Sequence, residues 1–161
     1  YAVQVLKATG VGKILASGRR PARLEAARTC GAHVVVDAAK EDVVAAFMEA
    51  TGNMGVNTVI ECAGTQASFD QSVAMARGGG KIMLVGVYEE PLRWDPLPVI
   101  GKNLSLIGCL GGNFPASIDL LQRKKAIAGP LITHFFSLDQ AAEAYRVQLE
   151  DPTAIKVMVR P

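Results

Sequence analysis

Short apolar runs of strand length alternate with helical segments along almost the whole chain, and the runs are continuous rather than polar at every second position. A strand that reads apolar throughout is covered on both faces, which points to a parallel sheet flanked by helices. The runs fall at 13–17, 33–37, 57–62, 81–87, 104–110 and 154–159. They are rich in β-branched and aliphatic residues and bounded by glycine, proline or polar residues.

Helical segments fill the intervals. Residues 1–9 stop at Gly10. Pro21 opens a helix that ends before Gly31, with proline in the first turn and glycine past the last. Residues 41–50 begin on acidic residues and carry Val43, Val44, Phe47 and Met48 at helical spacing. Thr65 caps a helix with Phe69 and Val73 four apart, expected to stop at Gly78-Gly79-Gly80. Residues 115–125 form a helix with Ile118 and Leu121 expected to face inward. Ser137-x-x-Gln140 is a capping-box pattern opening a helix to about residue 149. The fold expected is a doubly wound α/β sheet, with no linker, repeat or low-complexity segment.

Such a sheet needs a core, and the composition supplies one. Half of the 161 residues are hydrophobic and 20% are charged, which excludes a disordered tail. The balance of 17 basic against 15 acidic residues argues against a nucleic-acid partner. No apolar run approaches the ~18 residues that span a bilayer, so no membrane partner is expected. Residues 1–7 carry no signal-type pattern. Cys30, Cys62 and Cys109 are odd in number and widely spaced, which fits a reduced, cytoplasmic setting better than a disulfide framework or a closed zinc site.

In doubly wound sheets, ligands sit at the carboxyl ends of the strands. The ends here are Ser17-Gly18-Arg19-Arg20, Glu61-Cys62-Ala63-Gly64, Val85-Gly86-Val87 and Gly108-Cys109-Leu110. Any one could be a plain glycine-rich turn; four at one edge favour a shared ligand cleft. Ser17-Gly18-Arg19-Arg20 is the most informative. In dinucleotide folds an acidic residue at such a strand end binds the ribose 2′-OH of NAD, and its replacement with arginine nearby accommodates the 2′-phosphate of NADP. Here Gly18 holds the acidic position and Arg19, Arg20 and Arg23 follow. Arginine at a helix start opposes the helix dipole unless an anion is bound. Elsewhere the signals are weaker. Both histidines, His33 and His134, read as structural. Cys62 reads as a small buried residue. Glu61 could act as a base but has no partner placed by sequence.

The whole chain resembles the cofactor-binding domain of the medium-chain, zinc-dependent alcohol and polyol dehydrogenases. The matching pieces are Arg23-Leu24-Glu25-Ala26-Ala27 through Gly31-Ala32, Val59-Ile60-Glu61-Cys62-Ala63-Gly64 and Gly79-Gly80-Lys81-Ile82-Met83-Leu84-Val85-Gly86. They continue with Leu131-Ile132-Thr133-His134-Phe135-Phe136, Ala141-Ala142-Glu143-Ala144 and Ile155-Lys156-Val157. The resemblance implies a Rossmann-like domain over residues 1–161. It also implies that this domain is incomplete at its N-terminus, lacking the family's first strand and glycine-rich turn, with the catalytic domain and its zinc outside the chain.

Position by position, Ser17, Gly18, Arg19, Arg20 and Arg23 resemble the family's 2′-phosphate site. Cys62, Ala63 and Gly64 match the segment flanking the two riboses. Val85, Gly86 and Val87 match the one that meets the nicotinamide carboxamide, and Gly108, Cys109 and Leu110 a second nicotinamide-side segment. Lys156 matches a basic position near the pyrophosphate. The implied activity is hydride transfer between NADP(H), with NAD the lesser alternative, and an alcohol or carbonyl substrate. A zinc-free quinone or enoyl reductase and a non-catalytic nucleotide-binding protein stay open. The resemblance further implies a homodimer or tetramer through the edge strand near 103–109.

Overall fold

A computed structural model describes all residues, 1–161, and holds seven strands and seven α-helices. Two compact units divide the chain: Tyr1–Glu41 with Asn113–Pro161, and Asp42–Gly112. Every strand pairing is parallel. The ladders run β1-β2, β3-β4-β5 and β6-β7. The architecture is α/β with parallel strands joined by helical crossovers, the Rossmann-like class expected from the strand–helix alternation.

The first unit holds α1 (Ala2–Ala8), β1 (Leu15–Gly18), α2 (Pro21–Cys30) and β2 (Val34–Asp37), then α6 (Phe114–Gln122), β6 (Ile132–Ser137), α7 (Ala141–Glu150) and β7 (Lys156–Arg160). Ile14, Leu24, Val36, Leu131, Ala144 and Ala154 are its buried apolar residues. His33 is structural: its Nδ1 accepts the Ile14 N–H at 3.0 Å. Gln4 is buried on α1 and bonds both backbone groups of Ile127, donating to the carbonyl at 3.1 Å and accepting the N–H at 2.6 Å. The Ser137/Gln140 capping box forms, opening a short 3₁₀ turn that leads into α7. Two expectations need correction. Residues 132–137 form a strand that the sequence pattern does not announce, because its partner is β7. Ile118 and Leu121 on α6 do not face inward but are 50% and 46% exposed; periodicity identifies an apolar face without saying what covers it.

The second unit holds α3 (Val43–Ala50), β3 (Val56–Glu61), α4 (Gln66–Met75), β4 (Ala76–Leu84), α5 (Leu97–Gly101) and β5 (Ser105–Gly108). Asp42 caps α3, accepting the Ala45 N–H at 3.0 Å. Thr65 caps α4 in a reciprocal box with Ser68. Phe69, Val73, Ala76 and Ile82 form the core, with Val59, Leu84, Leu104 and Leu106 packed on it. α4 ends at Met75 rather than at the glycine run. Ala76 pairs with Val56, and the register then shifts so that Lys81 meets Thr58, which places Gly78-Gly79-Gly80 in an irregular stretch of β4. Ladder pairing therefore takes residues that local preference assigns to the helix end. At the same end of α4, Lys102 fastens the last turn: its ammonium donates to the carbonyls of Val73, Ala74 and Ala76 at 2.8–3.2 Å. β5 is an edge strand of its ladder.

Candidate functional site

In the second unit the register aligns Glu61 with Leu84 and Leu84 with Gly108, so the carboxyl ends of β3, β4 and β5 lie side by side. Three of the four nominated strand ends are thereby neighbours. The chain beyond them leaves the strands as turns: Val85, Gly86 and Val87 lie past the end of β4 rather than within it. Val85 and Gly86 N–H both donate to the Glu61 carbonyl at 2.9 Å, and Cys109 N–H donates to Leu84 at 2.9 Å.

Two of these turns interlock. Gly64 has φ +67°, a conformation that side-chain-bearing residues rarely adopt, and a β-carbon there would stand 2.7 Å from the Val87 carbonyl carbon. A β-carbon on Gly86 would stand 2.8 Å from Gly64 Cα and 2.8 Å from Glu61 Oε2. The glycines that suggest a ligand cradle are thus required first by backbone packed on backbone.

Glu61 is the hub of the arrangement. It is 3% exposed, yet its carboxylate accepts Ala63 N–H at 2.7 Å, Gly64 N–H at 3.0 Å and the Tyr88 hydroxyl at 2.5 Å. Burial alone would raise its pKa. The hydroxyls of Tyr88 and Ser68 and the two N–H groups outweigh that and hold it below the ordinary carboxylate value. Tyr88 responds in the opposite sense: burial and the adjacent carboxylate push its phenol up. This corrects the reading of Glu61 as a general base, since its lone pairs are occupied and its basicity is reduced. Cys62 also departs from expectation. It is exposed rather than buried, because it falls on the outward side of the turn that Glu61 anchors. Partial desolvation and then the Glu61 charge raise its thiol pKa.

A cleft of about 460 Å³ opens over these turns, lined by Ala63, Gly64, Thr65, Gln66, Val87, Glu89, Glu90, Pro91 and Leu92. Gln66 holds its far wall, donating to the Arg93 carbonyl at 2.7 Å and accepting the Arg93 N–H at 2.9 Å. The lining mixes small residues and amide and hydroxyl groups with the carboxylates of Glu89 and Glu90; the volume is at the lower end for small-molecule sites.

In the first unit, Ser17 and Gly18 end β1, with Gly18 opposite Asp37. Arg20 is the N-cap of α2, and its guanidinium donates to the last carbonyls of α7, Leu149 at 2.8 Å and Gln148 at 3.5 Å. Arg19 and Arg23 are exposed. The Arg23 guanidinium pKa is lowered by desolvation and then by repulsion from Arg20. Arg20 and Arg23 thus stand close enough at one helix start to repel each other, which is unfavourable against the helix dipole. Lys156 stands apart: it is exposed at the amino end of β7, whereas the other nominated residues follow carboxyl ends.

Sequence reasoning overlooked Tyr88 and the part played by Glu61. The available signal was a carboxylate closing an apolar strand, which when buried must find donors, and a tyrosine two residues past Gly86.

The chain belongs to the zinc-binding dehydrogenase family, whose model matches residues 1–123. It is 32% identical over 160 residues to an alcohol dehydrogenase of Cupriavidus necator, covering 94% of this chain and 43% of that protein. Among solved structures, a zinc-binding dehydrogenase of Sinorhizobium meliloti 1021 bound to NADP superposes with TM-score 0.87 at 27% identity, over 99% of this chain and 48% of that one. An alcohol dehydrogenase of Escherichia coli CFT073 complexed with NADH gives 0.87 at 28%, with the same two coverages. The chain spans about half the length of the relatives it matches. Its own side chains do not fit a zinc ion, since no three of its His, Cys, Asp and Glu residues converge. No helix is long and apolar enough to cross a membrane.

Proposed function

We propose that this chain is the cofactor-holding part of an oxidoreductase that moves a hydride between NADP(H) and an alcohol or carbonyl substrate. The nicotinamide supplies the hydride acceptor or donor. The chain's own residues bind and orient it: the turns at Ala63-Gly64 and Gly86-Val87 shape the cleft for the nicotinamide end, with Cys62, Val85, Gly108, Cys109 and Leu110 beside them along the same strand ends. Ser17-Gly18 and the arginines after it receive the 2′-phosphate, and Lys156 supplies a further positive charge.

The observation that carries the choice of NADP is the acid-free end of β1 followed by exposed Arg19. The two related structures above hold NADP in one case and NADH in the other, so the fold supports either and the choice falls to these side chains. Because Arg20 is engaged by α7, Arg19 and Arg23 are the phosphate-facing cations. Cofactor preference in the full-length protein tests this. Gly18→Asp with Arg19→Ala is expected to lower the ratio of kcat/KM for NADP over NAD about thirtyfold, for a loss of about 2 kcal/mol. An unchanged ratio refutes the assignment.

The protein is further proposed to work in the cytoplasm, where Cys30, Cys62 and Cys109 stay reduced. It is proposed to form at least a dimer through β5, whose free edge and exposed Ile107 suit antiparallel pairing across a two-fold axis.

A further inference from the structure

Glu61 carries a charge that no cation answers. It takes part in no ion pair: its partners are two N–H groups and hydroxyls, all neutral. Those donors converge on a carboxylate and would be ill served by a protonated acid, so the anion is the form the geometry holds. Its oxygens lie directly behind Ala63 and Gly64, which line the cleft, and Tyr88 ties it to the turn of Val87 on the opposite side. Water reaches almost none of the side chain, so its field is screened less than that of a surface carboxylate.

We propose that the buried Glu61 carboxylate, held by Ala63, Gly64 and Tyr88, sets the preference of the cleft for oxidised over reduced nicotinamide. This rests on the dinucleotide reading above. The oxidised ring bears a positive charge and the reduced ring none, while the rest of the cofactor is the same in both. A fixed negative charge behind the cleft wall therefore stabilises the oxidised form selectively. Tyr88 is a positioning residue: it seats the carboxylate but contributes no net charge.

Equilibrium titration with NADP⁺ and with NADPH, followed by calorimetry at neutral pH, tests this without relying on turnover. In Glu61→Gln, affinity for NADP⁺ is expected to fall about tenfold more than affinity for NADPH. In Tyr88→Phe the charge stays, so both affinities fall together and their ratio holds. A purely structural role for Glu61 would weaken the two forms equally, and that result in a folded Glu61→Gln overturns the proposal. Should Glu61→Gln fail to fold, Tyr88→Phe carries the test, because it leaves the carboxylate in place: a ratio that shifts tenfold in that variant overturns the proposal. Wild-type protein that binds neither form overturns the dinucleotide reading itself, an outcome distinct from binding with an unmoved ratio.

Discussion

Beyond β3 and β4 the chain is packed against itself, with Gly64 against Val87, Gly86 against Gly64 and a buried carboxylate pinning both turns. Beyond β1 it is open. A β-carbon at Gly18 would meet nothing closer than a Leu24 methyl at 3.4 Å, and Arg19 and Arg23 are exposed. The first region can recognise a ligand by fixed shape and a fixed field. The second can do so only through flexible charge, which is easily altered and contributes little to stability. The same residue type, glycine at a strand end, therefore has two meanings, and substitutions separate them.

The largest effect is expected at Gly86→Ala. The added methyl has no room, because the atoms it meets are backbone and a held carboxylate rather than a flexible side-chain end. A loss of about 3 kcal/mol or more is expected from urea unfolding. A loss under about 1 kcal/mol would mean that the turns yield, and that the packed region is not rigid.

Next comes the hydroxyl that seats the carboxylate. Tyr88→Phe removes a hydrogen bond to a charged group and is expected to cost about 1.5–3 kcal/mol. It also has a pH signature. The Glu61 pKa is lowered in the folded state, so its contribution is fully present above the unfolded value of about 4.3 and is lost as pH falls through the folded value. With Tyr88 removed the depression shrinks, and stability measured from pH 5 downward should fall less steeply than in wild type. An equal slope would show that Tyr88 does not hold the anion.

The open region should respond in affinity rather than stability. Arg19→Ala is expected to leave unfolding within about 0.5 kcal/mol while weakening NADP relative to NAD about tenfold. Arg20→Ala is expected to destabilise by about 1 kcal/mol, through the loss of its bonds to Leu149 and Gln148. If the two variants exchanged these phenotypes, the division of labour among the arginines would be wrong. Smallest of all, Gly18→Ala should unfold within about 0.5 kcal/mol of wild type. A large loss there would erase the contrast with Gly86.

What the sequence disclosed is what local chemistry controls. Pro21 at the start of α2, Gly31 at its end, Thr65 before α4 and the Ser137/Gln140 pair all act within one turn of chain, and each stands where its residue type predicts. The strands themselves were legible for the same reason, although the runs 81–87 and 104–110 overshoot the ends of β4 and β5. What stayed hidden depends on partners far along the chain. The β6 strand exists because β7 pairs with it, and α4 stops early because Val56 claims Ala76. Glu61 reads as a lone acid until Tyr88, 27 residues later, is seen to face it. The exposure of Cys62 follows from the turn that this pair fixes, which no pattern in the run 57–62 encodes.

The bond from Gln4 to Ile127 spans 123 positions, and it has a consequence for a chain made from one end. All ladder partners of β3, β4 and β5 lie within Asp42–Gly112, so that unit can close as soon as it has been synthesised. The first 41 residues can close the β1–β2 ladder but stay incomplete: Gln4 waits for Ile127, and Arg20 waits for Leu149. At about 5–20 residues per second, α1 and the β1–α2 turn remain uncovered on the order of ten seconds after they are made. Order of birth and order of completion are therefore reversed here. Helix α1, with Val3, Val5 and Leu6, is therefore open to a holding chaperone until Ile127 has been made.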